Sequence, residues 1–133
     1  MKHKKLSLLL AVVMGILGFV SELSADVVHL SIMVTPTEYS GVCPIRFQFE
    51  GKITTDSAGE VTYRWVRSDG AASTVKYLYF SEPGTQMVYS YWVLGPSGEF
   101  WKAIEILSPN SMLSDKAVFK LECTYYDPES TTH

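Results

Sequence analysis

The sequence predicts an all-β antiparallel sandwich, and three observations carry that prediction. Apolar and polar residues alternate with period two along most of residues 26–126, and no window sustains the 3.6-residue period of a helix. Turn residues punctuate the chain at intervals of roughly 8 to 12 positions, the spacing of short sandwich strands rather than of a parallel sheet or a barrel. Seven strands follow from this reading.

The first runs from Val27 to Thr35, is rich in β-branched residues and stops at Pro36. The second, Cys43 to Ile53, sets Ile45, Phe47, Phe49 and Ile53 against Arg46, Gln48, Glu50 and Lys52, with Gly51 marking a bulge or a close backbone approach. In the third, Glu60 to Arg67, the buried face is Val61, Tyr63 and Trp65. Ser68, Asp69 and Gly70 then form a turn, because Asp-Gly tolerates the positive φ that a tight reversal demands.

The fourth strand, Val75 to Phe80, ends at Glu82, Pro83 and Gly84, and the fifth, Gln86 to Leu94, ends at Gly95, Pro96, Ser97 and Gly98. A short turn between them predicts a hairpin. Phe100 to Leu107 is the sixth strand, and a bulge after Trp101 would bring Trp101, Ile104 and Ile106 to one inner face. The seventh, Lys116 to Tyr125, aligns Ala117, Phe119, Leu121 and Cys123. Trp65, Trp92 and Trp101 are the expected core tryptophans, and residues 127–133 are expected to form a flexible tail.

At 133 residues the chain holds one domain at most. Residues 1–25 read as an export signal. Lys2, Lys4 and Lys5 precede an apolar run from Leu6 to Val20, too short to cross a bilayer comfortably, and Ser21 to Ala25 is a small, polar cleavage region. Leu23 occupies a position where small residues are preferred, and an uncleaved N-terminal anchor is the alternative. Removing this segment takes away three lysines and one glutamate, leaving eight basic against thirteen acidic side chains, a charge of −5. That balance argues against nucleic acid as a partner, and after signal cleavage no membrane span is expected. The expected product is secreted or periplasmic.

An exported chain meets oxidising conditions. Cys43 and Cys123 are its only cysteines, so their connectivity is unique if they pair, and two unpaired buried thiols are the alternative. On an up-and-down path the start of strand two and the end of strand seven share one end of the sandwich, which suits a bridge. A closed loop of about 80 residues would contribute on the order of 4 to 4.7 kcal/mol.

The runs Tyr39-Ser40-Gly41-Val42-Cys43-Pro44, Phe49-x-Gly51-x-Ile53 and Tyr63-Arg64-Trp65-Val66-Arg67-Ser68-Asp69-Gly70 resemble small Ig-like modules of bacterial exported proteins. The likeness continues through Leu78-x-Phe80, Trp92, Trp101 and Leu107-Ser108-Pro109-Asn110 to Ala117-x-Phe119-x-Leu121-x-Cys123. The resemblance implies an Ig-like sandwich over residues 26–126 closed by Cys43 and Cys123, with no activity to carry over. Tyr77, Tyr79, Tyr89 and Tyr91 depart from the family pattern.

Catalytic candidates are few. His29 is the one histidine inside the predicted fold, Asp69, Glu82 and Asp115 are single carboxylates in turns, and Asp56 with Glu60 makes two carboxylates, too few to establish a Ca²⁺ site. No phosphate loop or nucleophile elbow is present, so no catalytic residue, metal or cofactor is expected. The tyrosines stand out instead. If strands four and five form a hairpin, Tyr77, Tyr79, Tyr89 and Tyr91 face outward together, with Arg46 and Gln48 alongside, as a candidate binding face. Three functions follow: a module that binds a protein or itself, a carbohydrate-binding module at the cell surface, and a protease inhibitor presenting loops such as Thr54 to Gly59. The first is the leading reading and the second its alternative; the inhibitor reading lacks a recognisable loop motif.

Overall fold

The computed structural model describes residues 26–129; the expected export signal, residues 1–25, and residues 130–133 lie outside them. Among the described residues nine strands follow in order: β1 (Val27–Thr35), β2 (Glu38–Cys43), β3 (Ile45–Thr55), β4 (Gly59–Arg67), β5 (Lys76–Phe80), β6 (Gly84–Leu94), β7 (Gly98–Ser108), β8 (Met112–Leu113) and β9 (Ala117–Tyr126). One sheet has the order β1-β3-β6, the other β2-β9-β7-β4-β5, with β8 also pairing β7. The two pack face to face as a sandwich.

The second predicted strand is two strands. Pro44 lacks the N–H that a continuing ladder needs, and the chain changes sheets there. Cys43 therefore closes β2 instead of opening β3. β2 lies parallel to β9, Gly41 opposite Cys123, so the first half of the chain borders the last strand and the path is not up-and-down. A disulfide joins Cys43 to Cys123 across this pair, 80 residues apart in sequence.

The expected hairpin of the fourth and fifth strands does not form. β6 matches β3 rung for rung from Ile45–Leu94 to Thr55–Gly84, whereas β5 covers β4 only from Gly59–Phe80 to Tyr63–Lys76. An eleven-residue strand gains more ladder beside β3 than it could beside a five-residue neighbour, so the link between β5 and β6 crosses from one sheet to the other.

Phe119 is the hub of the core. Its ring lies 4.2 Å from Phe47, 5.6 Å from Phe49, 5.8 Å from Phe100 and 5.9 Å from Trp92, so it touches aromatic side chains from both sheets. Such ring pairs contribute about 0.5–1.5 kcal/mol each beyond area burial. Gly51 is a close approach: a Cβ there would run into Ile104 Cδ1 and Val88 Cγ2.

β7 alternates from Phe100 to Ile106 and shifts register only beyond that, between Ile106 and Ser108 opposite Tyr63 and Thr62, which corrects the expected bulge after Trp101. Phe100, Lys102, Ile104 and Ile106 take the inner face and Trp101 the outer one, half-buried beside Val118, with the Lys116 ammonium 4.5 Å from its ring. Trp65 and Trp92 lie in the core; Trp101 does not. Beyond β9, the Asp127 amide donates to the Cys43 carbonyl and the Glu129 amide to Asp127 Oδ1, so the predicted tail begins with a tethered turn.

Candidate binding face

The outer face of the three-stranded sheet is built by alternation. Outward positions of β1, β3 and β6 align as the rungs Met33–Glu50–Tyr89 and Thr35–Gln48–Tyr91, with Arg46 one rung further on beside Val93. Met33, Tyr89 and Tyr91 are 55%, 69% and 57% exposed, an apolar load that the core does not use. The Arg46 guanidinium lies 4.2 Å from the centre of the Tyr91 ring, a cation–π contact between neighbouring strands. Between them and β1 is a shallow cleft of about 440 Å³ whose walls include Met33, Thr35, Pro36, Gln48 and Tyr89.

Four of the six residues expected to form one face are thus together: Arg46, Gln48, Tyr89 and Tyr91. Tyr77 and Tyr79 are separated from them. They project from β5 on the outer side of the other sheet, where Tyr79 pairs with Glu60 and Tyr77 with Thr62. All four tyrosines are exposed, but on opposite faces of the sandwich. The two edge strands are linked instead through Gln86, whose side-chain amide donates to the Tyr79 carbonyl at 2.7 Å.

The other chemically capable groups are dispersed. His29 is exposed on β1. Asp56 accepts the Asp26 amide at 3.0 Å and the Ser57 hydroxyl. Asp69 takes a two-pronged contact from Arg67 and the Ala71 amide, and the Arg67 hydrogen bond is the main reason its carboxyl is held below the usual carboxylate range. Among the described residues, no group of three or more His, Cys, Asp or Glu could hold a metal ion, and no helix is long and apolar enough to cross a membrane.

One group escaped the sequence reading. Lys102 is only 5% exposed, and its ammonium donates to Ser90 Oγ at 2.6 Å and to the Tyr91 carbonyl at 3.2 Å. The rings of Phe49 and Trp65 lie 5.0 and 5.3 Å away. Burial, with the nearby Arg67 charge second, pulls its pKa down to about 8. Its signal was present as the alternation Phe100-x-Lys102-x-Ile104-x-Ile106.

No protein-family model and no curated protein sequence matches the chain. Solved structures do. The CARDB domain of the PF1109 protein from Pyrococcus furiosus, solved in complex with di-metal ions, superposes with a TM-score of 0.56 at 8% identity, covering 74% of this chain and 96% of that one. The chain adopts an Ig-like sandwich. Parts of larger enzymes share the module. The β-glucosidase EmGH1 from Erythrobacter marinus is similar over 74% of this chain but 15% of its own length, with a TM-score of 0.54 and 15% identity. The alkylpurine DNA glycosylase AlkC from Pseudomonas fluorescens, bound to DNA containing an abasic site analog, is similar over 74% and 30%, with a TM-score of 0.52 and 14% identity. At these identities the likeness carries the fold alone.

Proposed function

We propose that the chain is an exported, non-catalytic Ig-like module that binds a protein through the outer face of its three-stranded sheet. The observation that carries this reading is the exposed set Met33, Tyr89 and Tyr91 on consecutive rungs, with Arg46 and Gln48 beside them. Tyrosine and arginine are the residues from which interface hot spots are most often made, and a flat sheet face presents them with little ordering left to do. Export is supported by the Cys43–Cys123 bridge, since disulfides persist in oxidising compartments.

The test is crosslinking from a photoreactive residue at Thr35 in the cells that make the protein. A discrete protein adduct is expected, and Tyr89→Ala/Tyr91→Ala should abolish it while leaving the fold intact. A folded double variant that keeps every adduct refutes the proposal. Carbohydrate binding is the second reading, favoured by two exposed tyrosines on one strand that could stack on neighbouring sugar rings. A glycan array on which the parent protein binds and the same double variant does not would select it.

A further inference from the structure

The proposed face contains a cation without a counter-ion. Among the described residues the ion pairs are Arg64–Glu105 and Arg67–Asp69, and no carboxylate lies within pairing distance of Arg46. Its Nε is buried and makes no hydrogen bond to any described residue. That Nε is closed off from an incoming group, which leaves the two Nη groups, neither buried nor bonded to a described residue, as the donors open to a ligand. The guanidinium lies over the Tyr91 ring, at the cleft that runs past Gln48 toward Tyr89.

From these observations we infer that Arg46 receives a carboxylate from an acidic segment of the protein partner; the inference rests on the proposed protein-binding role of this face. A planar guanidinium can meet a carboxylate with two parallel N–H donors, here one from each Nη, and the Tyr91 ring lies against its other side. Charge favours the same occupant. The outward positions of β1, β3 and β6 carry Arg46 and Lys52 against Glu50, a local +1, on residues 26–133 that together carry −5. Glu50 stands four residues along β3 from Arg46, roughly 13 Å, too far to neutralise it. It does give the cleft a polarity, with an acid-receiving end at Arg46 and a donor-receiving end at Glu50. Gln48, between them, can bond the peptide backbone of the bound segment.

The probe is acetyl-tetraglutamyl amide titrated into the purified protein, read by NMR at the arginine Nε–H resonances, with acetyl-tetraglutaminyl amide as the uncharged control. The Arg46 signal should shift saturably with the glutamyl peptide only, while Arg64 and Arg67, already held by their own carboxylates, serve as internal references. Arg46→Lys should weaken binding at least about tenfold, since an ammonium cannot form the paired contact. An unmoved Arg46 signal, or equal shifts at all three arginines, overturns the inference. So does glucuronate shifting Arg46 more strongly than the peptide, which would make the occupant a sugar acid. The Thr35 crosslink separates the two levels: an adduct that survives Arg46→Gln but not Tyr89→Ala/Tyr91→Ala leaves the protein-binding face standing and removes the carboxylate.

Discussion

Lys102 on β7 donates to Ser90 on β6 at 2.6 Å, so a cation placed in the core ties one sheet to the edge of the other. No carboxylate pairs with it among the described residues; its partners are a hydroxyl, a carbonyl and two aromatic faces. Burying a charge on such terms is costly, and the cost is visible as a lowered pKa.

Stability should therefore rise with pH in the mildly alkaline range. An unfolded lysine keeps its proton to about pH 10.4, whereas folded Lys102 gives it up near 8. Between those values the unfolded chain binds more protons, so the folded state gains as pH rises, by on the order of 2 kcal/mol from pH 8 to 10. Tyr63 acts in the opposite sense above that window. Burial raises its phenol, so the unfolded phenol ionises first and stability turns down above about pH 10. Urea titrations at half-unit pH steps should show the rise, and Lys102→Met should flatten it. A variant with the parental slope would remove Lys102 as its source.

Gly51→Ala should destabilise the fold by about 1–3 kcal/mol, although alanine is the better residue for most strands. The new methyl would meet Ile104 and Val88, whose side chains are enclosed in the core and cannot swing clear. Chemical denaturation of Gly51→Ala, alone and with Ile104→Val, supplies the check. The shortened side chain opens room for the methyl, so the two changes together should cost less than their separate costs added.

Asn110 pins the start of β1. Its side-chain oxygen accepts the Val27 amide at 2.8 Å and its nitrogen donates to the Val27 carbonyl at 3.0 Å, copying one rung of a ladder. Asn110→Ala should cost about 1–3 kcal/mol and speed hydrogen exchange at the Val27 amide by more than at the centre of β3. Uniform acceleration along both strands would mean that Asn110 supports the whole fold and not this edge.

Reducing the Cys43–Cys123 bridge, or replacing both residues with alanine, should lower stability by about 4 kcal/mol, the loop-entropy value for a separation near 80 residues. Unfolding midpoints with and without reductant measure it. An unchanged midpoint would show that the β2–β9 pairing holds without its covalent link.

Much of this fold was legible because alternation reports burial directly. The inner residues Phe47, Phe49, Val61, Trp65, Phe119 and Leu121 are where period two places them. Pairing was harder, because it is decided between distant segments: nothing local to Gln86 to Leu94 says that Val88 will sit opposite Gly51 rather than beside β5. The candidate face followed from that pairing, and Tyr77 and Tyr79 fall outside it. β2 was missed since Glu38–Cys43 is short and polar, and it exists by borrowing the edge of β9. At β7 the pattern was readable, but assuming that tryptophan belongs inside called for a bulge after Trp101 and passed over Lys102. The Lys102 ammonium finds acceptors on β6, which no property of β7 alone could reveal.

The parallel border between β2 and β9 also sets how the molecule carries mechanical load. A pull applied at Asp26 and Glu129 reaches Cys43 and Cys123 and then passes through the sulfur link between them. Residues 44–122, with the aromatic hub and Lys102, lie outside the force path. Only the two flanking segments can pay out under tension, so a pull would draw β1, with Met33 and Thr35, off the face and leave Arg46, Gln48, Tyr89 and Tyr91 in place on β3 and β6.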